Sequence, residues 1–209
     1  MKIHTMPLNA LQTNTYFVIN EETQETLIID PAWDSKELTG FIDENGLKPV
    51  AVLLTHGHFD HIYGVKVLRE RNAEVIASEK ETELLATVSM NLSEKFKRPV
   101  TVKADRTVKD GEELKLAGYR IRVIETPGHT AGCVCYEFPE QMVIFTGDTL
   151  FNGTIGRTDV PTGDWETEVK SVKEKLFTLP DRMICYPGHG STTTIGHEKM
   201  FNNAVKQDR

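Results

Sequence analysis

The chain has little sulfur and no long apolar stretch. Three of its 209 residues are cysteines, Cys133, Cys135 and Cys185. So few, and an odd number, argue against a disulfide framework and for reduced thiols in a cytoplasmic setting. Cys133 and Cys135 would share one face of a strand and read as small buried hydrophobes. No apolar run approaches the roughly 18 residues a spanning helix needs, so no membrane segment is expected. The opening Met1-Lys2-Ile3-His4-Thr5-Met6-Pro7 lacks the apolar core of a secretion signal. Positive charge is also short: 24 Lys and Arg face 31 Asp and Glu, a formal net charge of −7. Nucleic acid is therefore set aside as the main partner, because phosphate binding needs clustered Lys and Arg. No solenoid-length repeat and no low-complexity segment interrupts the chain.

The rest is an ordinary globular composition, 39% hydrophobic and 26% charged. A chain of this length is expected to fold as a single domain over residues 1–209. Such a domain buries roughly 70% of the surface it exposes when unfolded.

The informative stretch is Thr55-His56-Gly57-His58-Phe59-Asp60-His61. Before it, Val50 to Leu54 reads as a buried strand; after it, Ile62, Val65 and Leu68 mark one face of a helix. In extended backbone His56 and His58 point the same way, since side chains alternate. The turn that follows lets Asp60 and His61 face a second point nearby. Imidazole and carboxylate together suit zinc, iron or manganese. The loop is read as supplying half the ligands of a two-metal site.

Elsewhere the pattern predicts strands at 3–8, 14–19, 26–29 and 74–77, then 113–117, 119–124, 134–138, 142–146 and 183–186. Helices are expected around Leu38, Phe41 and Ile42 with Asp34 or Ser35 as cap, from the histidine loop to about Arg71, from Ser78 through Leu85, from Trp165 to Leu176, and after Thr194. Residues 90–104 are polar and poorly periodic, and read as a mobile lid or a long connection. This order favours an α/β fold of four layers, two face-to-face sheets with helices outside.

Five of the seven histidines fall in turns that follow strands: His56, His58, His61, His129 and His189. The last two sit in Pro127-Gly128-His129 and Pro187-Gly188-His189, where glycine permits close approach and proline stiffens the turn. Asp148 ends the apolar run before it, where its two oxygens can bridge two cations. Asp60 could instead only cap the helix that follows it. His4 and His197 lack this context and read as structural or solvated. Because imidazoles must be neutral to bind metal, affinity is expected to fall as pH drops through about 6.5.

With the motifs THGHFDH, PGHT, GDTLF and PGHG, the chain resembles the metallo-β-lactamase superfamily over essentially its whole length, and within it the small glyoxalase II-like hydrolases. The resemblance implies an αββα sandwich with the site at one edge of the sheets. It assigns His56, His58 and His129 to one metal, Asp60, His61 and His189 to a second, and Asp148 to the bridge. It implies a hydrolase of thioesters such as S-lactoylglutathione, working through two divalent ions, zinc first, with iron or manganese as alternatives. Asp60 would orient the nucleophile, and Arg157, Phe151 and Phe59 are candidate substrate contacts. No counterpart of the glutathione-binding helical domain of glyoxalase II is expected after Gly190. Lactamases of the superfamily place cysteine or histidine where Asp148 stands, which disfavours β-lactams. A mononuclear iron persulfide dioxygenase using His56, His129 and Asp148 is the alternative, with a nuclease of the same superfamily ranked below it. The expected partner is a small thioester, and the expected assembly a monomer or small homo-oligomer.

Overall fold

Strands pair almost in the order in which they are made. In the computed structural model, which describes residues 1–206, the first sheet runs β1 (Lys2–Leu8), β2 (Thr13–Ile19), β3 (Glu25–Ile29), β4 (Lys48–Leu53), β5 (Glu74–Ser78) and β6 (Arg106–Val108). The second holds β7 (Glu113–Leu116), β8 (Tyr119–Glu125), β9 (Val134–Phe138), β10 (Val143–Gly147), β11 (Ile184–Pro187) and β12 (Thr193–Thr194), again in sequence order. Hairpin neighbours are antiparallel. From β3 to β6, and between β10 and β11, the pairs are parallel and need crossovers.

Alternation along the strands sorts the core into layers. In β2, Tyr16 and Val18 face the second sheet, where they join Val123, Tyr136 and Phe145. Phe17 and Ile19, one residue out of phase, pack outward with Leu38, Ile42 and Leu68. The second sheet does the same, turning Cys135, Ile144 and Cys185 toward Val172 and Leu176. Each sheet thus buries both faces, one against its twin and one against helices, which gives the expected four-layer αββα sandwich. No helix among the described residues is long and apolar enough to cross a membrane.

The helices are α1 (Lys36–Glu44), α2 (Phe59–Ile62), α3 (Val65–Arg69), α4 (Thr82–Ala86), α5 (Trp165–Glu174), α6 (Ile195–Phe201) and α7 (Asn203–Lys206). Ser35 caps α1 by accepting from Leu38 N, while Asp34 pairs with Arg98 instead. The single helix expected up to Arg71 is two short ones, broken at Tyr63-Gly64, where Gly64 N donates to Pro31 O at 2.7 Å. Side-chain spacing ran through the break because the inward positions keep their phase. Residues 90–104 form a packed connection. Asn91 and Ser93 are buried and bond to Val100, Asn91 O accepts from Phe59 N, and Val102 N donates to Leu85 O. The polar residues that suggested a lid satisfy the backbone of this turn.

Candidate metal centre

All seven expected donors arrive at one edge of the sandwich. The loop after β4 brings His56, His58, Asp60 and His61, the last two in the first turn of α2. The turns after β8, β10 and β11 bring His129, Asp148 and His189. Two glycines make the convergence possible. Gly128 has φ +147°, and a Cβ there would collide with the backbone of Glu168. A Cβ on Gly188 would collide with Asp148 Oδ1 and come within 2.8 Å of His61 Cε1.

The donors form two neighbouring triads, His56/His58/His129 and Asp60/His61/His189, each with its ligand atoms within 4.8 Å of one another. Asp148 lies between them. Its Oδ1 is 3.4 Å from His61 Nε2, and its Oδ2 is 3.6 Å from His129 Nε2 and 3.5 Å from His189 Nε2. All are buried except the His189 side chain, which is 29% exposed and forms the mouth of the site.

Residues behind the donors fix which nitrogen each ring presents. Asp30 Oδ2 accepts from His61 Nδ1 at 2.9 Å and from Thr55 Oγ1 at 2.6 Å, and Thr55 Oγ1 in turn lies 3.1 Å from His56 Nδ1. Having given its proton to Asp30, Thr55 Oγ1 accepts from His56, which leaves His56 Nε2 bare, while the bond to Asp30 turns His61 Nε2 toward the centre. His129 Nδ1 donates to Arg157 O at 2.6 Å, and His189 Nδ1 to Leu11 O at 3.2 Å. Asp60 Oδ2 accepts from Thr13 Oγ1 at 2.7 Å. Glu81 joins two ligand loops, taking Gly57 N on Oε2 and both Thr130 Oγ1 and Gly132 N on Oε1. Glu168 Oε2 accepts from His129 N at 2.8 Å.

Asp30, Thr13, Glu81 and Glu168 were not singled out as site residues in the sequence. Asp30 ends an apolar strand just as Asp148 does, and that parallel was the one available signal. Asp30 with His56 and His61 also has metal-like spacing. Its Oδ2, however, is already engaged by Thr55 and by the rear nitrogen of His61, so it acts behind the centre. Arg157 reaches the site through its backbone. Its guanidinium is exposed and held by Asp159 at 2.6 Å and 2.7 Å. The Phe151 ring centroid stands 6.0 Å from that of His189, and the ring lines an open groove with Asn152, Thr154, Gly190 and Ser191.

The donor set fits divalent cations. His56 Nε2, His61 Nε2 and Asp148 Oδ1 are buried without a hydrogen-bond partner among the described residues, which is costly unless something electrophilic satisfies them. His58 Nδ1 and His129 Nε2 lie 2.8 Å apart and share a proton that a cation would replace. Burial, aided by neighbouring rings, pushes His58 down to about 3 and His56 well below its usual range. Burial also lowers His129. The other two histidines go the opposite way. Burial opposes protonation of His61, but Asp148, Asp60 and Asp30 outweigh it and raise its pKa well above normal. At His189, burial is likewise overcome by Asp148 and Asp60, and the value rises to about 9. Asp60 is held down to about 2 despite burial, chiefly by His61. The carboxylates split the histidines into a set already neutral and a pair that keeps its protons until a cation displaces them.

A buried cluster of five imidazoles and two carboxylates at the edge of an αββα sandwich makes a candidate metal centre. The metallo-beta-lactamase superfamily model matches residues 8–189, and the chain belongs to that superfamily. It is 38% identical to the probable metallo-hydrolase YqgX of Bacillus subtilis over 97% of this chain and 96% of that one. It is also 38% identical to the hydroxyacylglutathione hydrolase GloC of Haemophilus influenzae, over 97% of each chain. Among solved structures it is similar to the BLEG-1 B3 metallo-beta-lactamase, with TM-score 0.93 and 36% identity over 99% of this chain and 100% of that one. It is similar too to TTHA1623 in a di-iron-bound form, with TM-score 0.85 and 32% identity over 95% and 98%.

Proposed function

We propose that the protein is a binuclear hydrolase of small thioesters, of the hydroxyacylglutathione hydrolase type, in the cytoplasm. The observation that carries this reading is Asp148, whose carboxylate stands between the triads, with Oδ2 near His129 of one and His189 of the other and Oδ1 near His61. A mononuclear iron site of His56, His129 and Asp148 would leave Asp60, His61 and His189 gathered without a task. His56, His58 and His129 would hold one ion, Asp60, His61 and His189 the other, and Asp148 would touch both. Bound divalent ions supply a water of lowered pKa and a Lewis acid for the acyl oxygen. Zinc suits the nitrogen-rich set, and the di-iron form of TTHA1623 supports iron as the other candidate.

The chain's own groups do the positioning. Asp30 and Thr55 keep the His56 and His61 rings in the binding tautomer. Asp60, fixed by Thr13 through Oδ2, is ionised at neutral pH and would orient the attacking water while serving as a ligand. The open groove at Phe151, Asn152 and Ser191 receives the polar thiol carrier beside His189. The likeness to GloC supports the thioester. The likeness to BLEG-1 favours a β-lactam as a second substrate class.

Metal analysis of protein purified without chelator tests the centre, with about two ions per chain expected. Fewer than about one would refute the binuclear reading. A substrate panel tests the reaction: S-lactoylglutathione, a chromogenic cephalosporin, and glutathione persulfide with oxygen uptake recorded. Hydrolysis of the first without oxygen uptake is expected; turnover confined to either of the others would replace the thioester assignment.

A further inference from the structure

A second compartment lies beside the loop that carries His58 and Asp60. Asn9, Leu11, Trp33, Phe59, Tyr63 and Phe96 line a cavity of about 200 Å³, closed at one end by Arg98. It is tied to the metal ligands twice. Phe59 is the residue between His58 and Asp60, and Leu11 O accepts from His189 Nδ1. Asn9 adds a third tie, with Nδ2 donating to Asp60 O and Ala32 O at 3.2 Å each.

The walls are aromatic and mutually braced. Trp33 meets Tyr63 edge-on at 5.0 Å, Phe59 meets Tyr63 at 5.6 Å, and Phe59 stacks on Phe96 at 4.1 Å. Arg98 does not make this a site for anions or cations. Its guanidinium lies over Trp33 at 4.2 Å and Tyr63 at 4.7 Å and is neutralised by Asp34. The ring faces that would attract a ligand cation are taken, and the charge that would attract an anion is spent. Yet Leu11 and Phe96 remain 46% and 53% exposed. Such apolar surface beside a reaction centre is completed by the substrate itself.

We propose that this compartment holds the acyl group of the substrate, and that an aromatic ring or a branched apolar chain fills it better than a short hydroxyacyl. The inference rests on the thioester reading and narrows it. Both compartments border the ligands, the groove at His189 and the cavity at Phe59 and Leu11, so the two sides of a cleaved thioester can each take one. The apolar one is the smaller, about 200 Å³ against about 460 Å³ for the groove at Phe151 and Ser191. The acyl group therefore takes the apolar side and the larger polar thiol carrier takes the groove. Hydrolysis then gives an apolar carboxylic acid and a free thiol, the added water supplying the hydroxyl of the acid and the proton of the thiol.

The first test reads binding without turnover. The protein has two tryptophans, Trp33 and Trp165, so two indole N–H signals report on it. Phenylacetamide, a neutral ring probe, is titrated into zinc-loaded protein. The Trp33 signal is expected to shift while Trp165 stays, with affinity at least threefold weaker in Phe96→Ala. No Trp33 shift, or equal affinity in the variant, overturns the assignment. The second test compares acetyl, lactoyl, isovaleryl and phenylacetyl thioesters of one thiol. The kcat/KM for phenylacetyl over acetyl is expected to be about tenfold or more, and to fall in Phe96→Ala. A flat series, or a preference untouched by the variant, overturns it. If no thioester is cleaved while the Trp33 shift persists, the thioester reading fails and the ring-binding pocket stands.

Discussion

Asp30 Oδ2 holds His61 Nδ1 at 2.9 Å and so turns the other nitrogen of the ring toward Asp60 and Asp148. The same oxygen steadies His56 through Thr55, so one carboxylate sets a ring in each triad. Asp30→Ala is expected to weaken metal binding about 10- to 100-fold, a typical cost of losing such a support. Competition with a chromophoric chelator measures it. Affinity within a factor of about two of the parent would show that ring packing alone orients the histidines.

Gly188→Ala attacks the centre without removing a donor. The new methyl would meet Asp148 Oδ1 and His61 Cε1, both beside the second triad. The variant is expected to keep the ion at His56, His58 and His129 and to lose the other. Metal counting by atomic emission after gel filtration distinguishes this outcome from loss of both.

The split among the histidines gives metal binding a pH signature. Below about 9 the metal-free protein carries a proton on His189, and His61 is raised in the same direction, so a cation must expel protons to bind there. His58, at about 3, and His56 are already neutral. Affinity of the second ion is expected to rise with pH up to about 9, by as much as about tenfold per unit for each proton released. The first ion should show little slope over the same range. Calorimetric titration in buffers of different ionisation enthalpy counts the protons directly.

Glu168 is pushed up to about 9 by burial, and only its Oε2 has a described partner. A carboxyl raised in the folded state stabilises the fold fully below its unfolded value, and that contribution is lost as pH rises toward the folded one. Melting temperature should therefore fall between about pH 5 and about pH 9, and Glu168→Gln should flatten the decline. An identical pH profile in the variant would assign the slope to other groups.

Glu81→Ala strips three donors of their acceptor inside the protein: Gly57 N, Thr130 Oγ1 and Gly132 N. Urea unfolding of the metal-free protein should show a loss of about 3 kcal/mol. Because Glu81 ties the His58 loop to the His129 loop, the metal at that triad should weaken as well.

The donors were legible in the sequence because each sits in a short turn with its own local mark. His129 and His189 follow a Pro-Gly pair, Asp148 follows Gly147, and the first four crowd into six positions. The strands were legible through buried alternation, as in Tyr16 to Ile19. Asp30, Thr13 and Glu81 were not, because what makes them matter lies 31, 47 and 49 residues away, at His61, Asp60 and Thr130. Sequence periodicity reports neighbours within an element and is silent on such partners. The break at Gly64 and the short strands β6 and β12 escaped for a related reason. Two- and three-residue strands carry too few alternations to register.

The ligand edge is also where the two sheets are sewn together. Val134 N donates to Thr55 O, Asn14 N to Gly188 O, and Tyr16 Oη to Pro187 O, all within a few residues of a donor. Four donors hang from the first sheet and three from the second, so a pair of cations would act as a clasp across the sandwich. Chelation would open that clasp at one rim while the aromatic interior stayed shut, and the halves would part there like a book from its fore-edge.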